Sequence, residues 1–82
     1  MKQPDPINLA HAVESALEHY FATLEDEQIT NLYHLVIEQV EAPLIRYVLK
    51  RTCGNRTHAA RILGINRNTL HRKITLYRIE TE

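Results

Sequence analysis

From Leu9 onward, apolar side chains return every three or four residues, the spacing of one face of an α-helix. Leu9, Val13, Leu17, Tyr20 and Leu24 form the first stripe, with Ala12, Ala16 and Phe21 beside it, and Asn8 stands where a helix cap belongs. The eight residues before the stripe hold Pro4 and Pro6 and no apolar period, which predicts a short flexible lead-in. Glu25-Asp26-Glu27-Gln28 has no apolar side chain and reads as a loop, after which Thr30 or Asn31 offers the next cap. A second stripe follows in Leu32, Leu35, Val36, Val40, Leu44, Tyr47 and Val48, broadened by Ile37, Ile45 and Leu49. It covers more of the helix circumference than a single chain's surface helix needs.

Pro43 falls within this second stripe, where it removes a backbone hydrogen bond and crowds the preceding turn. Because the apolar period continues in phase from Val40 to Leu44 and Tyr47, the pattern predicts one kinked helix, ending near Cys53-Gly54. Asn55 then caps a short third helix, Arg56 to Leu63, with Ala59, Ile62 and Leu63 expected inward. Gly64-Ile65-Asn66 makes a tight turn, and Asn66 caps a fourth helix from Arg67 to about Tyr77, with Leu70, Ile74 and Tyr77 inward. No strand pattern, repeat or low-complexity segment is present. The expected class is all-α: a lead-in over 1–8, then a single domain over 9–82 whose first two helices occupy 9–53 and whose last two occupy 55–78.

With 82 residues, such a chain buries only about 60% of its unfolded surface and often needs a disulfide, a metal or a partner subunit. Cys53 is the one cysteine, which excludes an intrachain disulfide and a thiolate-rich zinc site. Oligomerisation is the remaining support. Ten Lys and Arg balance ten Asp and Glu, but the two halves differ sharply. Residues 1–45 carry eight acids against Lys2, a net −7, while residues 46–82 carry nine bases against Glu80 and Glu82, a net +7. Charge segregated in this way points toward nucleic acid or a membrane surface. No apolar run approaches the roughly 20 residues of a membrane span, and no basic-then-apolar leader is seen. A reduced, cytoplasmic protein is expected.

The segment from Asn55 to Tyr77 reads as a helix-turn-helix, two short helices joined by a three-residue turn containing glycine. Small Ala59 and Ala60 allow close approach of the second helix, and Gly64 suits a turn conformation that a Cβ opposes. The second helix then presents Arg67, Asn68, His71, Arg72 and Thr75 outward, a set suited to base edges and phosphates in a major groove. Basic residues on a solvated face are common on any helical hairpin. Two caps, an alanine pair, a glycine turn and a basic face without nearby acid are a rarer combination. Rival chemistries lack their parts. No two of the five histidines stand three or four residues apart, so no metal is expected. Ser15 and Cys53 have no activating neighbours, so no enzyme, cofactor or small-molecule substrate is expected.

From Leu9 to Ile79 the chain resembles the Fis family of small bacterial nucleoid-associated DNA-binding proteins. The likeness lies in Leu17-Glu18-His19-Tyr20-Phe21, Asn31-Leu32-Tyr33-His34-Leu35-Val36, Val40-Glu41-Ala42-Pro43-Leu44, Gly54-Asn55-Arg56-Thr57-His58-Ala59-Ala60 and Gly64-Ile65-Asn66-Arg67-Asn68-Thr69-Leu70. The last two helices alone are also similar to the C-terminal domain of NtrC-type activators. The resemblance implies a homodimer cored by the first two helices, with two recognition helices closer together than one turn of straight DNA. The duplex must then bend, and an A·T-rich centre bends cheaply without being touched. The resemblance further implies that Asn66 and Arg67 are nearest the bases, that Arg72 matters for affinity, and that Asn55, Arg56, Thr57 and Thr69 hold phosphates. Asn68, His71 and Lys73 complete the expected double-stranded DNA interface.

The family's best-known member has a longer N-terminal arm that touches recombinases; eight residues before the first helix are too few for it, so recombination is not an expected role. His71 stands where an arginine is common, and Thr75 and Leu76 where that member has lysines, which implies fewer phosphate contacts and binding that tightens in mild acid as His71 gains charge. An alternative is a protein-interaction role, since the family's loop before the helix-turn-helix contacts RNA polymerase. That implies a contact at Arg51, Cys53, Gly54 and Arg56.

Overall fold

A computed structural model of the chain describes residues 8–24 and 28–80. Residues 1–7 of the expected lead-in over 1–8 and the acids Glu25, Asp26 and Glu27 of the first loop lie outside the described residues. Four helices follow in order, α1 (Leu9–Leu24), α2 (Leu32–Arg51), α3 (Arg56–Leu63) and α4 (Arg67–Leu76). No strand occurs among the described residues, and the class is all-α as the spacing predicts. Between Thr30 and Asn31 the chain divides into two compact units.

In the first unit, four of the five stripe residues of α1, Val13, Leu17, Tyr20 and Leu24, are half-buried, Leu9 is exposed, and no residue of the helix is fully buried. Asn8 precedes it in the left-handed region at φ 59°, and its carbonyl accepts the first helical bond from the Ala12 amide at 2.9 Å. Tyr20 and Phe21 meet edge to face with ring centres 6.3 Å apart.

The second unit begins at α2, which runs unbroken through Pro43. Its N-cap is Asn31, which does not cap through its side chain; it sits left-handed at φ 61° and lends only its carbonyl, to Leu35. Only the C-terminal half of α2 enters a core, through Ile45, Val48 and Leu49. They meet Ala59 and Ala60 of α3, Leu70 and Ile74 of α4, and Ile79 beyond it, with Leu63, Ile65 and Tyr77 packed around them. Ala59 and Leu70 are wholly inaccessible to solvent. The one buried polar side chain among the described residues, Thr52, has its hydroxyl 3.2 Å from the carbonyls of both Leu49 and Asn55 and donates to one at a time. Its polar group is thereby satisfied.

Ile62 departs from the expected inward face of α3: it is 55% exposed, and Ala60 takes the inner position. At about 100° per residue, a face centred between Ala59, Ala60 and Leu63 leaves Ile62 roughly a quarter turn outside it. In a helix of only two turns, a three-residue spacing is too coarse to choose between these faces.

Each helix of the second unit closes in the same way, with a left-handed residue after the last turn and the next amide returning five residues. Gly54 N–H reaches Leu49 O at 2.8 Å, Ile65 N–H reaches Ala60 O at 3.1 Å, and Ile79 N–H reaches Ile74 O at 3.0 Å. The left-handed residues are Cys53 (φ 54°), Gly64 (φ 74°) and Arg78 (φ 53°). At the end of α2 a cysteine therefore takes the place where glycine was expected, and Gly54 (φ 81°) continues the left-handed path. The returning chain folds Ile65 and Ile79 back onto the core.

A Cβ added at Gly64 would meet nothing within 4 Å, so its cost is the backbone conformation alone. Gly64→Ala should lower the unfolding free energy by about 1–2 kcal/mol in urea titrations, and Gly64→Asn by less. Equal losses from both would locate the cost in packing instead.

Candidate nucleic-acid interface

Two asparagines build the interface by fixing where its helices start. Asn55 Oδ1 accepts the His58 amide at 3.0 Å, and Asn66 Oδ1 accepts the Asn68 amide at 2.7 Å. Both residues lie in extended backbone, the geometry of a side-chain cap. Neither α3 nor α4 has an acid in its first turn, so the positive ends of both helix dipoles are left for an anion. Each cap oxygen is occupied by its helix. Toward a ligand, each asparagine offers its amide NH2.

Along α4, Arg67, Asn68, His71, Arg72 and Thr75 are all exposed, on the side opposite buried Leu70 and Ile74. Thr57 is exposed at the start of α3, and Thr69 is half-buried. Arg72 Nη2 lies 3.5 Å from Thr69 Oγ1, one turn back along α4. The Thr75 hydroxyl donates to the His71 carbonyl at 3.2 Å. The two helices are joined at the surface by Arg56, whose Nη1 donates to His71 Nδ1 at 2.5 Å. A guanidinium has no acceptor, so Nδ1 must carry no proton in this pair.

Nine of the ten expected DNA-contacting residues lie at the starts of α3 and α4 or along the outward face of α4. Lys73 is apart from them. Its Nζ lies 3.0 Å from Glu41 Oε2 on α2, with the two side chains 29% and 26% exposed. The other carboxylate oxygen, Oε1, accepts the Tyr77 hydroxyl at 2.5 Å. One carboxylate thus grips α4 at two points a turn apart. Glu41 is held below the usual carboxylate range, first by the Tyr77 hydroxyl bond and then by the bond and charge of Lys73, which together outweigh its partial desolvation. The Tyr77 phenol is pushed up to about 12, chiefly by its bond to Glu41, then by burial and by the charges of Glu41 and Glu38. Sequence reading placed Tyr77 on the inner face but gave Glu41 no role. A pair 36 residues apart leaves no mark in any local spacing.

Among the described residues no three His, Cys, Asp or Glu side chains converge as a metal site, and no helix is long and apolar enough to cross a membrane.

The pattern that defines bacterial regulatory proteins of the Fis family matches residues 36–77. Over 69 residues, 84% of the chain, it is 46% identical to the DNA-binding protein Fis of Actinobacillus succinogenes, of which the match covers 70%. The DNA-binding protein Fis of Proteus mirabilis is 45% identical over the same length, again with 70% of that protein covered. That of Yersinia enterocolitica gives the same figures. The family pattern spans α3, α4 and all of α2 after its first turn, and so includes the Glu41, Lys73 and Tyr77 grip.

That grip has a measurable signature. Tyrosine absorbance should reveal one phenol ionising only near pH 12, and this phase should move to lower pH in Glu41→Gln and vanish in Tyr77→Phe. The phenol holds its proton more tightly folded than unfolded, so its stabilisation is complete below pH 10.0 and lost as pH rises through about 12. Glu41 works in the opposite sense: its contribution is present above 4.5 and lost as pH falls through its lowered folded value. Unchanged alkaline titration in Glu41→Gln would count against the grip.

Proposed function

The chain belongs to the Fis family of bacterial regulatory proteins, and from that premise we propose that it is a DNA-binding regulator of the bacterial nucleoid that pairs as a homodimer and bends its duplex. The observation that carries the reading is the outward row of α4. Arg67, Asn68, His71 and Arg72 stand exposed at the end of a capped two-helix unit, with no acid in the first turn of either helix. Arg67, beside the α4 cap, suits guanine O6 and N7. Arg56, Thr57 and the two asparagine amides suit phosphates, which fix register without reading sequence.

Pairing is supported by what α2 leaves exposed. Ile37 (38%), Val40 (45%) and Leu44 (48%) are exposed along one side of α2, ahead of its buried residues. Clustered apolar exposure of this kind marks a protein interface. In such a dimer the recognition helices would stand closer than a straight duplex allows, as the family resemblance implies. A·T-rich centres would then be preferred for their low cost of narrowing and bending.

A contact with RNA polymerase joins the same proposal. Of the four residues implied for it, Cys53 and Gly54 line an open groove with Arg46, Tyr47, Lys50 and Arg78; Arg51 is exposed at the end of α2, and Arg56 is turned toward His71 instead.

Arg67→Ala should cost about 1–3 kcal/mol of specific binding and relax sequence preference in gel-shift titrations, while changes at Cys53 and Gly54 should alter activation and leave DNA affinity intact. Preference unchanged in Arg67→Ala would defeat the groove reading. Val40→Glu should convert a species with the mass of two chains into one with the mass of one in light scattering. A wild-type chain already monomeric at micromolar concentration would remove the dimer and the bending that depends on it.

A further inference from the structure

We propose that Arg56 selects the tautomer of His71, so that His71 meets DNA as a neutral hydrogen-bond donor through Nε2–H; the DNA half of this inference rests on the function proposed above. Arg56 opens α3 and His71 lies on the second turn of α4, 15 residues later in the chain. The guanidinium can only donate, and its Nη1 is directed at His71 Nδ1. Nδ1 is then the acceptor, and in a neutral imidazole the proton belongs to Nε2. Among the described residues Nε2 makes no hydrogen bond, and the side chain is exposed. It stands in the outward row, one turn after Arg67 and Asn68 and one turn before Thr75.

Arg56 from α3 and Arg67 and Arg72 from α4 bring basic groups to its side. An added positive charge on His71 would face Arg56 across the bond it had just broken. His71 therefore adds a directed donor where an arginine would add a charge. Its partner must be an acceptor. In a major groove that means guanine O6 or N7, adenine N7 or thymine O4, and the amino groups of cytosine and adenine are refused. A phosphate oxygen satisfies the same chemistry. Arg56 is the positioning residue, since it sets which ring nitrogen carries the proton.

Imidazole nitrogen–hydrogen correlation spectra of the ¹⁵N-labelled full chain test the first half without DNA. The wild type should show a single Nε2–H tautomer at His71, and Arg56→Ala should show a mixture of the two. A mixture in the wild type, unaltered by Arg56→Ala, would overturn the proposal. On duplex DNA, His71→Gln offers an amide oxygen to Arg56 and an NH2 outward, and should bind within about threefold of wild type. His71→Ala should lose roughly five- to tenfold, the scale of one hydrogen bond, and adding Arg56→Ala to it should then cost less than Arg56→Ala alone. Glutamine binding no better than alanine would also overturn the proposal. With glutamine rescue, loss at a single base pair assigns the acceptor to a base edge; loss spread evenly over all sequences assigns it to a phosphate. If the tautomer is found but no duplex binds, the function falls and the tautomer stands.

Discussion

The outward face of α4 has a defined direction only because α3 lies very close to its neighbours, and that closeness depends on Ala59 and Ala60. Both are buried, Ala59 wholly, against a core that includes fully buried Ile45 and Leu70. Any larger side chain at either position would push α4 outward and turn its exposed row. In so short a chain there is little other core to resist the shift. Asn55 and Asn66 fix where the two helices start, and the left-handed residue Gly64 fixes how far the first can run. Position and direction of the row are thus set by residues that are mostly not in it.

Charge is distributed with comparable economy. Nine bases lie in residues 46–82, yet they are not equivalent. Lys73 is drawn toward Glu41 on α2, Arg72 is laid along its own helix by Thr69, and Arg56 is turned toward His71. Tallying bases overstates the charge available on the α4 row and says nothing of its direction. Glu41 also couples the helix that bears the exposed apolar row to the helix that bears the basic one. A single carboxylate, bonded to Tyr77 and Lys73, therefore ties the helix proposed to pair to the helix proposed to read DNA.

The order of elements was legible because it is encoded locally. Asn55, Gly64 and Asn66 are capping and turn residues whose conformational preferences act within a few positions, and the structure uses all three as read. The inner face of α4 was legible through Leu70 and Ile74, whereas on α2 the stripe residues Leu35, Val40, Leu44 and Tyr47 are exposed and the core takes Val48 with the flanking Ile45 and Leu49. Ile62 was misassigned because α3 is too short for period to decide. Ile79 escaped notice because its burial depends on the chain turning back after Arg78, outside any helical period. The exposed row of the recognition helix followed from its core face by subtraction. Its internal wiring did not: Arg56 with His71 and Glu41 with Tyr77 are meetings across the fold, 15 and 36 residues apart.

The apolar residues that α2 leaves in water bear on more than assembly. In the proposed dimer they are sheltered only in company, so the free energy holding each chain together includes a mass-action term. Dilution would then act on the proposed dimer as a mild denaturant does, and abundance in the cell would become one of the determinants of whether the recognition helices exist as a pair at all. A regulator built this way senses its own supply before it senses any sequence.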